Sequence, residues 1–112
     1  MATKKHFHHK PKFGGALTGA ILNNATTVTG VATVKVLNNP HDSKFRAGTY
    51  HGAHGDIAIT ADGHWTYTLN GSDTAVSGLA TAATLTDAIL VPTVYDYRGT
   101  KGTTVTITIT GH

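Results

Sequence analysis

Cysteine and glutamate are both missing from this 112-residue chain. Without cysteine there is no disulfide framework, no thiolate metal site and no thiol nucleophile. A domain of this length buries roughly two-thirds of its unfolded surface, so it folds without a disulfide or a metal. Without glutamate, every acidic residue is an aspartate: Asp42, Asp56, Asp62, Asp73, Asp87 and Asp96. Glutamate is a helix former, whereas the threonine that dominates here suits a pleated, half-buried surface. The imbalance points to strands. No run of about 20 apolar residues occurs, which excludes a helical membrane span. The first residues also lack the apolar stretch and cleavage site of a secretory signal.

The formal charge is +3, with eight histidines that add positive charge on protonation. Much of the basic balance sits in Lys4, Lys5, Lys10 and Lys12. Residues 1–12 (MATKKHFHHKPK) are polar and show no periodicity, so they read as a flexible tail before a domain spanning 13–112.

From Phe13 onward the pattern is that of short strands and turns. Ala16–Leu22 reads as a first strand, and Val28–Leu37 alternates with Val28, Gly30, Ala32 and Val34 on one side. Asn38-Asn39-Pro40-His41-Asp42 is a turn cluster. Phe45–His51 and Asp56–Thr60 flank a Gly52–Gly55 break. Asp62-Gly63 then separates Ile57-Ala58-Ile59 from Trp65-Thr66-Tyr67-Thr68-Leu69, and Asp-Gly is a strong two-residue hairpin signal. Thr86–Tyr95 is a further strand whose Pro92 places it at an edge or a bulge. Residues 98–102 form a hairpin loop, and Thr103–Thr110 ends the fold with Val105, Ile107 and Ile109 inward. Trp65, Tyr67, Leu69, Leu79, Leu85, Val105, Ile107 and Ile109 make up the expected core. About seven strands with regular turns and no convincing helix predict an all-β sandwich of immunoglobulin-like or cadherin-like type.

The stretch Gly55-Asp56-Ile57-Ala58-Ile59-Thr60-Ala61-Asp62-Gly63-His64-Trp65-Thr66-Tyr67-Thr68-Leu69-Asn70 resembles a VCBS repeat. So do Leu85-Thr86-Asp87 and the terminal Thr104-Val105-Thr106-Ile107-Thr108-Ile109-Thr110-Gly111. The resemblance covers Phe13 to Gly111 and is closest in the second half. It implies a tandem, cadherin-like domain of large bacterial adhesins and biofilm-matrix proteins, working outside the cell or on its surface. It also implies Ca²⁺ carboxylates after the opening strand and after the final glycine. Here the first place holds Asn38-Asn39-Pro40-His41-Asp42 and the second Gly111-His112. Ca²⁺ takes six to eight oxygen ligands, so Asp42 supports a weak site at most.

Catalysis is not expected. Ser43, Ser72 and Ser77 sit in turn-like contexts without a motif around them, and Asp62 belongs to a hairpin turn. The candidate metal ligands are His6, His8, His9, His51, His54 and Asp42; neutral imidazole suits Zn²⁺ or a similar ion. Tyr95, Asp96, Tyr97 and Arg98 beside the last hairpin are the candidate carbohydrate platform. The expected function is therefore a non-catalytic adhesive or structural module. Its partners would be further copies of itself or neighbouring adhesin domains, joined by edge-strand or N-terminal strand addition, with residues 13–30 as the donated segment. The alternatives are a carbohydrate-binding module and a His-dependent, metal-binding assembly protein. A polysaccharide partner fits the basic tail, whereas nucleic acid is disfavoured for lack of aromatic-basic interleaving.

Overall fold

The computed structural model describes residues 10–97 and 100–112, with the backbone alone for residues 96, 97, 100 and 101. In chain order the elements are β1 (Lys12–Gly15), β2 (Thr18–Leu22), β3 (Thr27–Lys35), β4 (Gly48–His51), β5 (Gly55–Ile59), β6 (His64–Leu69), α1 (Thr74–Ser77), β7 (Thr84–Tyr97) and β8 (Thr100–Thr110). They make two sheets, ordered β1-β3-β6-β5-β4 and β2-β8-β7. The fold is an all-β sandwich.

The alternation read from the sequence sets the core. Ala32, Ile57, Ile59, Trp65, Tyr67 and Leu69 line the inner face of the larger sheet. Ile89, Val91, Val105, Ile107 and Ile109 line that of the smaller one. Phe45, Ile21 and Val76 complete the buried cluster, while Leu79 and Leu85 are half-buried and pack against its rim. Each fully buried large side chain contributes about 1.5–3 kcal/mol, so this inner layer is the main stabilising term.

Several details differ from the sequence reading. The strand expected at Ala16–Leu22 is β2, and an additional strand, β1, precedes it in the other sheet, starting at Lys12 within the stretch read as a tail. Gly15 adopts φ 72°, a conformation glycine accepts without strain, and the chain crosses there from one sheet to the other. β1 pairs antiparallel with β3, and β2 pairs parallel with β8. The indole Nε1–H of Trp65 donates to the Ala16 carbonyl at 2.9 Å and pins this crossover. The additional β1 gives eight strands among the described residues rather than about seven. The β5–β6 connection runs over residues 60–63, longer than a two-residue turn. Tyr97 pairs with Thr100, so the last hairpin is tighter than a loop over 98–102. A register shift between Pro92 and Tyr97 supplies the expected bulge. One helical turn was not anticipated: Asp73 caps α1 by accepting from the Ala75 N–H, and Val76 plugs the sandwich end beneath it.

The Thr-rich last strand, β8, lies between β2 and β7, and β7 is an edge, as Pro92 suggests. The edge strands are β1, β4, β2 and β7.

Candidate functional site

The strands run between two ends that carry different side chains. One end, beside α1, holds the β4–β5 connection, the close of β6 and the start of β3. The other holds the start of β1, the close of β3 and the β5–β6 connection.

At the α1 end the central group is Asp87. Strand alternation puts it in the inward phase of β7 with Ile89 and Val91, and it is fully buried. Its carboxylate accepts three hydrogen bonds. The Ala53 N–H reaches Oδ1 at 2.9 Å, and the His54 N–H reaches Oδ2 at 2.9 Å. The Tyr67 hydroxyl donates to Oδ2 at 2.7 Å. Tyr67 belongs to the larger sheet and Asp87 to the smaller, so the bond ties the two layers together. Gly52 makes room for it: a Cβ there would fall 2.4 Å from Asp87 Oδ1. Burial, followed by the bond to Asp87, raises the Tyr67 phenol far above its ordinary value and keeps it protonated. A buried carboxylate satisfied in this way is a latch.

Two histidines in this region, His51 and His54, each meet a separate aspartate. His54 Nδ1 donates to Asp73 Oδ2 at 2.9 Å, with both side chains largely shielded from solvent. That bond, more than the contacts from the α1 backbone, holds Asp73 below the usual carboxylate range. His51 Nδ1 and Asp56 Oδ1 lie 2.8 Å apart on the exposed face. His51 and His54, expected as joint metal ligands, are thus engaged with separate carboxylates. Among the described residues no three His, Asp or Glu side chains converge as metal ligands would. Asp42 takes the Asn39 side-chain amide at 2.9 Å within a turn that Ser43 also braces through the Val36 N–H. His6, His8 and His9 lie outside the described residues.

Of the carbohydrate candidates, Tyr95 is half-buried on β7. The side chains of Asp96 and Tyr97, and Arg98 as a whole, lie outside the described residues. At the β5–β6 connection His64 approaches Asp62 at 3.2 Å. The Thr60 hydroxyl, then His64, holds the Asp62 carboxyl below its ordinary value.

The opposite end carries the cations. Lys12 and Lys35 are direct partners across the β1–β3 pair, and both are exposed. With Lys10 and Leu37 they line a groove of about 340 Å³. Lys44 and Arg46 bond to β7 near Thr93 at the same end. Every described lysine and arginine side chain lies there, and none flanks the α1 end. Sequence reasoning missed this groove, because nothing local signals that β1 pairs with β3. The only hint was the density of lysine at residues 4–12.

No family model matches the chain, and no curated protein matches it.

Proposed function

We propose that the chain is a non-catalytic structural and adhesive module of a bacterial surface or extracellular matrix, associating with its neighbours through an open strand edge. The observation that carries this reading is the edge of β7. It pairs with β8 on one side, and over residues 84–91 no described strand pairs with the other. The adjoining outer face holds Thr18, Ala20 and Leu22 from β2, Thr104, Thr106, Thr108 and Thr110 from β8, and Thr84, Thr86, Ala88 and Leu90 from β7. None of these is charged, and Leu22 and Leu90 are about half exposed. An open edge beside an uncharged face is a template for strand pairing, the feature that solitary proteins usually blunt with charge.

The likeness to VCBS repeats agrees with this reading. The Ala61-Asp62-Gly63-His64-Trp65-Thr66-Tyr67-Thr68-Leu69 run supplies a hairpin turn and core strand, and the aspartate of Leu85-Thr86-Asp87 serves as the latch. The Ser43 hydroxyl, Asp73 and Asp87 are engaged in a turn, a helix cap and the latch. Residues 13–30 complete the chain's own sheets, so donating them would take an exchange between copies. Pairing along β7 needs no such rearrangement. Sedimentation velocity and electron microscopy test the proposal. Assemblies that grow with concentration are expected, and Thr86→Lys/Ala88→Lys should return them to monomers. A wild-type chain that stays monomeric at every concentration overturns it.

A further inference from the structure

At the groove of the lysine end, Lys12 lies on the edge strand β1, where charge blunts strand pairing, but that role does not call for a second lysine opposite it. Like charges placed directly opposite on neighbouring strands destabilise a sheet, yet Lys12 and Lys35 are paired in this way. Lys10 lines the same groove and adds a third cation. Among the described residues none of the three forms an ion pair, the aspartates being engaged with histidine, threonine, asparagine, tyrosine or backbone N–H groups. Local rules of this kind are broken at functional sites, and clustered positive charge draws anions to the surface that carries it.

We infer that this groove binds an acidic polysaccharide, one whose repeating carboxylates engage Lys10, Lys12 and Lys35 while the C–H face of a sugar ring rests on Leu37. The composition of the groove selects this partner. Lysine presents a mobile point charge suited to carboxylates strung along a flexible chain, whereas planar, bidentate recognition of phosphate favours arginine. Leu37 is 54% exposed at the groove and offers an apolar patch of sugar size. Among the described residues no aromatic side chain lines it, so they offer single-stranded nucleic acid no stacking platform. Binding at the groove is independent of pairing along β7, so either can fail while the other stands.

The test uses the full chain with polygalacturonate, neutral dextran and DNA as probes, followed by calorimetry near pH 7 in about 20 mM NaCl, where charges are weakly screened. Polygalacturonate is expected to bind and dextran not to. Raising the salt to about 200 mM should weaken binding by roughly tenfold or more, as counterion release requires. Lys12→Gln/Lys35→Gln should weaken it by roughly tenfold with the fold intact by circular dichroism, and by more than Lys4→Gln/Lys5→Gln does. Absence of polygalacturonate binding overturns the inference, as does binding indifferent to Lys12 and Lys35. Larger losses from the Lys4/Lys5 pair, or tighter binding to DNA than to polygalacturonate, overturn it too.

Discussion

At the α1 end of the sandwich each carboxylate has a built partner: Asp87 its three donors, Asp73 the His54 ring and a helix cap, Asp56 the His51 ring. At the lysine end three cations share a groove with no described counter-charge, and two of them face each other across a strand pair. The first arrangement is self-sufficient and reads as structure. The second is incomplete and reads as a surface that meets something else. Charged groups alone therefore do not mark a site; what distinguishes the two ends is whether the chain itself supplies the partner.

The comparison predicts large losses at the self-sufficient end. Asp87→Ala leaves the Tyr67 hydroxyl and two backbone N–H groups without an acceptor, and should cost about 3–5 kcal/mol in urea unfolding. Gly52→Ala pushes a methyl group against the same carboxylate and should cost about 1–3 kcal/mol. In the Asp87→Ala background that second cost should shrink sharply, since the two residues share one contact. Additive losses would mean that Gly52 is required for another reason.

Tyr67→Phe removes one donor and should cost about 1–2 kcal/mol at neutral pH. Its pH dependence sharpens the point. A phenol raised by folding is protonated in the native state, so its contribution is complete below the unfolded value near 10 and declines as the pH climbs above it. The stability gap between wild type and Tyr67→Phe should therefore narrow above about pH 10. A gap that stays constant there would show that the phenol is not held by the latch.

The incomplete end should behave in the opposite sense. Lys12→Gln/Lys35→Gln removes a like-charge pair and should stabilise the chain by a few tenths of a kcal/mol, roughly the size of one cross-strand pair. The gain should fade at high salt, where exposed charges are screened. A loss of stability would place these lysines among the structural residues and erase the contrast between the ends.

What was legible in the sequence was local. Period-two alternation placed Trp65, Tyr67, Leu69, Val105, Ile107 and Ile109 in the core, and Asp62-Gly63 marked the β5–β6 hairpin. The same alternation puts Asp87 inward between Leu85 and Ile89, a signal that this carboxylate is buried and needs donors. The donors themselves lie 20 to 34 residues away, beyond the reach of any local pattern. α1 has only four residues, too few to show a helical period, although Asp73 and Gly78 at its two caps are signals of the right kind. The lysine groove depends on the β1–β3 register, which reading residues 1–12 as a tail and starting the first strand at Ala16 concealed.

The crossover at Gly15 has a mechanical consequence. It brings β2 alongside β8 in parallel, so the first strand of the smaller sheet and the last strand of the fold are joined by a five-rung ladder. A pull applied at Thr18 and at Thr110 draws these two strands past each other along their length. The rungs then carry the load together instead of opening one after another like a zip. A domain threaded this way resists stretching best along the line in which a chain of such domains would be pulled.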